Sequence, residues 1–161
     1  MNIFFLDHCP KKAAQMQCDK HIIKMILESA QMLCTAHHEL GTYTMLKDIL
    51  YKKTHVNHPS SKWVRHRAHN YAWLYAHFVE LCDEYSFRFN KRHLTDKKFR
   101  NKLIIVPKYI DHSWEITPPA LAMPDEFKTN CPVESYRNYY KHKSKSIDMR
   151  WTNREKPEWM N

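Results

Sequence analysis

Residues 63–90 read WVRHRAHNYAWLYAHFVELCDEYSFRFN, and no glycine or proline interrupts them. Tyr71, Leu74, Phe78, Leu81, Cys82 and Tyr85 recur at the steps that put side chains on one face of an α-helix. A second face collects His66, Asn70, Trp73, His77, Glu84 and Arg88. The stretch predicts a long helix with an apolar and a polar side, started by Ser60 or Ser61 as N-cap.

A second long helix is predicted upstream, over residues 10–40, with Pro10 in its first turn and Gly41 at the left-handed C-cap position. Ile22, Ile23, Ile26, Ala30 and Leu33 form its core-facing stripe. His21, Lys24, Glu28 and Gln31 line a neighbouring polar face. Before it, residues 1–6 (MNIFFL) read as an extended segment or small strand pinned to the core.

Further helices are expected over residues 44–52, from Thr95 to Ile104 or Ile105, and over residues 133–149. The last would turn Val133, Tyr136, Tyr140 and Ile147 inward and Arg137, Lys141, Lys143 and Lys145 outward. Residues 106–132 hold five prolines and read as an ordered irregular loop. The fold expected is a mainly α, single-domain helical bundle spanning residues 1–161, with a short extended N-terminus, a long Pro-containing loop and a polar seam.

Composition narrows the function. One glycine stands where average usage of about 7% would give about eleven, which excludes Gly-rich phosphate loops and the tight turns of dinucleotide folds. Five cysteines, an odd number without a C-x-x-C pair or a hydrophobic signal segment, suit the reducing cytoplasm. No apolar run has the length of a membrane span, so no membrane association is expected. The net charge of +9 attracts polyanions, and basic residues interleaved with aromatic ones favour nucleic acid as the partner.

Two regions carry that interleaving. ESYRNYYKHKSKSIDMRWTNREKPEW near the C-terminus offers Arg137, Tyr140 and Lys143 to phosphates and bases. THVNHPSSKWVRHRAHNYAW, a loop leading into a helix N-terminus, offers His55, Asn57, His58, Lys62, Trp63, Arg65, Asn70 and Trp73. Two H-x-x-H pairs, His55/His58 and His66/His69, keep a His-ligated metal-dependent nuclease as an alternative, although no cysteine has zinc-ligand spacing. Neither a metal site nor a cofactor is assigned.

Metal-free chemistry points to CDKHIIKMILE, where Glu28 or Asp19 supplies an acid or base beside Lys20, His21 and Lys24. A carboxylate among cations activates water or stabilises an oxocarbenium-like sugar as a base departs. The same spacing also fits a surface ion pair of Lys24 with Glu28. The geometric condition for an enzyme is that Asp19, His21, Glu28, His58, Arg65 and Asn70 converge. Acting on a base would require extruding it, with Trp63, Trp73 or a C-terminal tyrosine filling the gap.

MNIFFLD, CDKHIIKMILE, NHPSSKWVRH, NYAWL and TPPALAMPDEFK together resemble a family of small phage-encoded proteins, which would place the chain in the host cytoplasm. The chain is more distantly similar to the pyrimidine-dimer DNA glycosylases of the endonuclease V type. The shared pieces are residues 1–6, the helix over residues 20–28, His58-Pro59, and Glu84 with Arg88. That resemblance implies an all-α, metal-free enzyme excising a damaged or modified base from DNA. The phage glycosylase uses the amine of a threonine exposed by Met removal, whereas residue 2 here is Asn2, a residue that leaves Met1 in place. The Met1 amine, Lys20 or another lysine would then serve, or the lyase step would be absent. The competing expectation is a non-catalytic nucleic-acid-binding or host-takeover protein.

Overall fold

The computed structural model describes residues 1–113 and 115–161, and among these it contains helices and no strand. In chain order the α-helices are α1 (Pro10–Gln15), α2 (Asp19–Leu40), α3 (Thr44–Lys47), α4 (Pro59–His66), α5 (Ala68–Phe89), α6 (Leu94–Phe99) and α7 (Pro132–Ser144). Short 3-10 turns lie at Asp125–Phe127 and Glu158–Met160. The fold is mainly α, as the periodicity predicts. No helix among the described residues is long and apolar enough to cross a membrane.

The core lies where α2 meets α5, with α1 against α5 and α4 wedged between α2 and α5. Ile22, Ile26, Leu33, Leu74, Phe78 and Leu81 are fully buried there. Residues 1–6 form neither helix nor strand, and residues 2–6 are buried against this core.

Both long predicted helices are broken, for one kind of reason. A continuous helix over residues 10–40 needs the carbonyls of residues 15–17 for its own amides. Arg88 takes the carbonyls of Gln15 and Gln17, at 2.9 and 2.8 Å, and the Trp151 indole takes that of Met16 at 3.0 Å. The Cys18 amide donates to the Tyr140 hydroxyl instead, and the chain restarts as α2. Likewise, Asn70 Nδ2 donates to the Trp63 carbonyl at 2.8 Å, Arg67 turns extended, and Ala68 donates to Asp111.

The cap of α4 also shifts. His58 is the N-cap, its Nδ1 accepting from the Ser60 amide, with Pro59 at the first helical position; Ser60 and Ser61 are buried inside the helix. Near the chain's end, α7 stops at Ser144 rather than continuing to Met149, and α6 stops at Phe99 before a turn that buries Leu103.

Ile23 departs from its predicted place in the core. It is 47% exposed, as is its neighbour Leu27 at 40%, whereas Ile22 and Ile26 are sealed. Successive helical residues lie about 100° apart, so once Ile22 and Ile26 point inward Ile23 must project sideways. The polar side of α5, by contrast, is an interior network. Glu84 receives Arg88 Nε and Arg154 Nε, both at 2.8 Å, and Arg88 also reaches Asp19 at 3.0 Å. Burial alone would raise the Glu84 carboxyl, but hydrogen bonds from Arg154 and Arg88 outweigh it and hold its pKa below the usual range.

Candidate functional site

The N-terminal segment builds one wall of a cavity of about 400 Å³. Asn2 shapes it. Its Oδ1 accepts from the Ile3 and Phe4 amides at 2.8 and 2.9 Å, and its Nδ2 donates to the Ala122 carbonyl at 2.9 Å. These bonds hold Phe4 at φ 46°, a left-handed conformation unfavourable for a bulky residue. The Phe4 ring then lies 4.5 Å from the His21 ring, closing the cavity floor.

The opposite wall is the first three turns of α2. Glu28, 9% exposed, points at the chain's start. Its Oε2 accepts from the Asn2 amide at 3.0 Å and lies 3.9 Å from the Met1 ammonium. Its Oε1 faces Lys24 Nζ at 3.4 Å. The Met1 side chain is itself enclosed, its sulfur 3.6 Å from Ser61 Oγ, so the amine is the part of Met1 that the cavity meets.

His21 is fixed from behind. The Tyr140 hydroxyl accepts from the Cys18 amide and lies 2.7 Å from His21 Nδ1, holding the ring in place. Burial, followed by the nearby charges of Lys143 and Lys24, lowers the imidazole to about 4, so His21 is neutral at pH 7. Lys20, Lys143 and Tyr139 complete the rim, with Lys143 Nζ 5.1 Å above the Tyr139 ring. A carboxylate, an amine, a neutral imidazole and three lysines thus share one opening.

The structure brings together Glu28, Lys20, His21 and Lys143 of the residues singled out from the sequence. His58 sits close enough to feel the N-terminal charge and Glu28; burial first, then the N-terminus and His55, lower its pKa. Asp19 does not line the cavity. Its carboxylate binds the amide and hydroxyl of Thr152 as well as Arg88, tying the C-terminal segment to α2.

The remaining predicted residues divide by burial. His55, Asn57 and Lys62 are exposed, and Arg65 donates to the Val56 carbonyl at 2.6 Å, bracing the loop in which His55 takes φ 48°. Trp63 and Trp73 are buried, their indoles donating to the carbonyls of Thr117 and His8. Asn70 is fully buried and exchanges hydrogen bonds with Thr117. Tyr140 is buried, while Arg137 donates to the Leu6 carbonyl and lies over Trp159. The convergence condition is therefore met by His21 and Glu28, with His58 nearby, and not by Asp19, Arg65 or Asn70. Among the described residues, no three His, Cys, Asp or Glu side chains converge as a metal site.

Sequence reasoning did not single out Phe4, Tyr139 or the Asn2 side chain. Asn at position 2 of an apolar segment was the available signal, since a short amide commonly bonds its own downstream backbone.

A mainly α, basic chain that sets an amine against a half-enclosed glutamate, with lysines at the rim, has the build of a DNA-processing protein. The profile of the pyrimidine dimer DNA glycosylase family matches residues 1–97, and the chain belongs to that family. The match includes the N-terminal segment and all of α2, while α7, with Tyr139 and Lys143, lies beyond it. No curated protein and no solved structure matches the chain.

Proposed function

We propose that this chain is a DNA glycosylase that removes a damaged or modified base, with the Met1 α-amine as nucleophile and Glu28 as acid and base. The observation carrying the proposal is the placement of the Met1 ammonium 3.9 Å from Glu28 Oε2 inside a lysine-rimmed cavity. Family membership supplies the reaction class.

Glu28 accepts a proton from the ammonium, freeing the nitrogen lone pair. The amine attacks C1′ of an extruded nucleotide; the glycosidic bond breaks with its electron pair going to the base, which takes up the proton released by the new C1′–N bond. The C1′–O4′ bond then opens, O4′ takes the proton held by Glu28, and a protonated Schiff base joins Met1 to C1′. Water hydrolyses it, restoring the amine and leaving an abasic site.

The neighbours suit these steps. Lys20, Lys24 and Lys143 balance phosphates around an extruded nucleotide. Phe4 and Tyr139 give it aromatic walls, and neutral His21 does not compete for the carboxylate's charge.

Borohydride reduction in the presence of duplex carrying a cyclobutane pyrimidine dimer or an abasic site tests this proposal. A covalent protein–DNA adduct is expected with the native chain and a loss of about 10²-fold or more in its rate of formation with Glu28→Gln. Absence of adduct on every damaged duplex tried, with the protein folded, would refute it.

A further inference from the structure

Extruding a nucleotide leaves a hole in the base stack; of the fillers that the sequence offers, Trp63, Trp73, Tyr136 and Tyr140 are buried, and Tyr139 is half-buried in the cavity wall. The large exposed apolar side chains on the helices that line the cavity are aliphatic. Ile23 and Leu27 lie one turn apart on α2, the helix that carries Glu28, and are 47% and 40% exposed.

Their surroundings distinguish them from ordinary surface aliphatics. Around α2 the order is Ile23, Leu27, Lys20, Gln31, Lys24 and Glu28, taking about 100° per residue. The lysines therefore stand between the aliphatic pair and Glu28, and the carboxylate one turn before Ile23, that of Asp19, is taken up by Arg88 and Thr152. The other large exposed hydrophobic side chains among the described residues, such as Met45, Leu94 and Tyr109, belong to elements that do not line the cavity.

Resting on the glycosylase function above, we infer that Ile23 and Leu27 form an aliphatic wedge that enters the DNA duplex beside the nucleotide drawn into the cavity. Lysines on one side hold the phosphates while the uncharged pair meets the stack. Apolar side chains pushed between base steps offset part of the unstacking and keep the duplex kinked. The wedge is fixed by a rigid helix, so its distance from Glu28 is set before DNA arrives.

The test separates insertion from chemistry. A duplex with a tetrahydrofuran abasic analogue, which lacks the C1′ hydroxyl needed for a Schiff base, carries 2-aminopurine opposite the analogue. Its fluorescence reports unstacking on binding. The native chain is expected to raise the signal several-fold, and Ile23→Ser/Leu27→Ser to remove most of that rise; Ile23→Met/Leu27→Met should restore it. On a true abasic site, the serine variant should trap at least about tenfold more slowly in duplex yet within about twofold of native on a single strand, where there is no stack to enter.

A serine variant that keeps the full fluorescence rise overturns the wedge, as does a native chain that produces none. Equal slowing on duplex and single strand also overturns it, because the pair would then act on the chemistry or the fold. Loss of the rise in the serine variant, together with a native chain that traps no DNA, supports the wedge and refutes the glycosylase chemistry instead.

Discussion

Replacing Asn2 by leucine keeps the side chain's shape and a large residue at position 2, but removes every hydrogen bond it makes. The Ile3 and Phe4 amides, both in buried residues, lose their acceptor, and the Ala122 carbonyl loses its donor. A buried amide without a partner costs about 1–3 kcal/mol, and relaxation of a terminal segment recovers part of that, so about 3 kcal/mol of stability should be lost. With a urea slope of about 2 kcal/mol/M, the unfolding midpoint falls by about 1.5 M. Asn2→Asp keeps the Oδ1 acceptor for both amides and should recover the larger part of the loss. The same unfolding curves test the consequence for Phe4: without those bonds nothing holds its φ at 46°, so the aromatic floor under His21 opens and near-ultraviolet dichroism changes with Asn2→Leu. A midpoint within about 0.3 M of native for Asn2→Leu would refute the role given to this side chain.

Acid should destabilise the fold through neutral buried histidines. His77, which lies between Gln17 and the Pro10 carbonyl, and His21 are both lowered to about 4, principally by burial. The unfolded chain binds their protons near pH 6.5 and the folded chain only near 4, so their contribution is complete above 6.5 and lost as pH falls through that window, up to about 3 kcal/mol for each. Urea midpoints that stay constant from pH 7 to 4.5 in the native chain, or that fall just as far in His77→Gln, would contradict this. Arg88→Met should cost about 3–5 kcal/mol, because it strands buried Glu84 with Arg154 alone and frees the carbonyls of Gln15 and Gln17; calorimetric unfolding within 1 kcal/mol of native would show that the network contributes little.

Helical content was legible because period counting needs only local information, and the stripes on α2 and α5 carry it plainly. The breaks were not. Whether residues 15–18 continue a helix depends on Arg88 and Trp151 competing for carbonyls, and Trp63 to Arg67 depends on Asn70. Ile23 misled for a related reason: a run of two isoleucines fits an apolar stripe, while the axis direction is set by what Ile22 and Ile26 pack against.

The site was half visible. Glu28, Lys20 and His21 fall within one motif on one helix, so their proximity follows from spacing alone. Asn2 with Ala122, and His21 with Tyr140, are joined across 120 and 119 residues of sequence, and no local pattern announces them. The crowding of polar residues on α5 was real, and it lies inside the protein: Glu84 pairs with Arg88, Asn70 bonds Trp63 and Thr117, and His77 bonds Gln17 and the Pro10 carbonyl.

The most direct test of the central claim is to locate the covalent bond. Borohydride-trapped complex on abasic duplex, digested with protease and nuclease and sequenced by mass spectrometry, should carry the sugar remnant on the α-nitrogen of the N-terminal peptide beginning at Met1. Selective acetylation of that amine should abolish trapping. A remnant on the ε-nitrogen of Lys20, Lys24 or Lys143, or trapping that survives acetylation, would contradict the assignment of Met1 and Glu28 as the reacting pair.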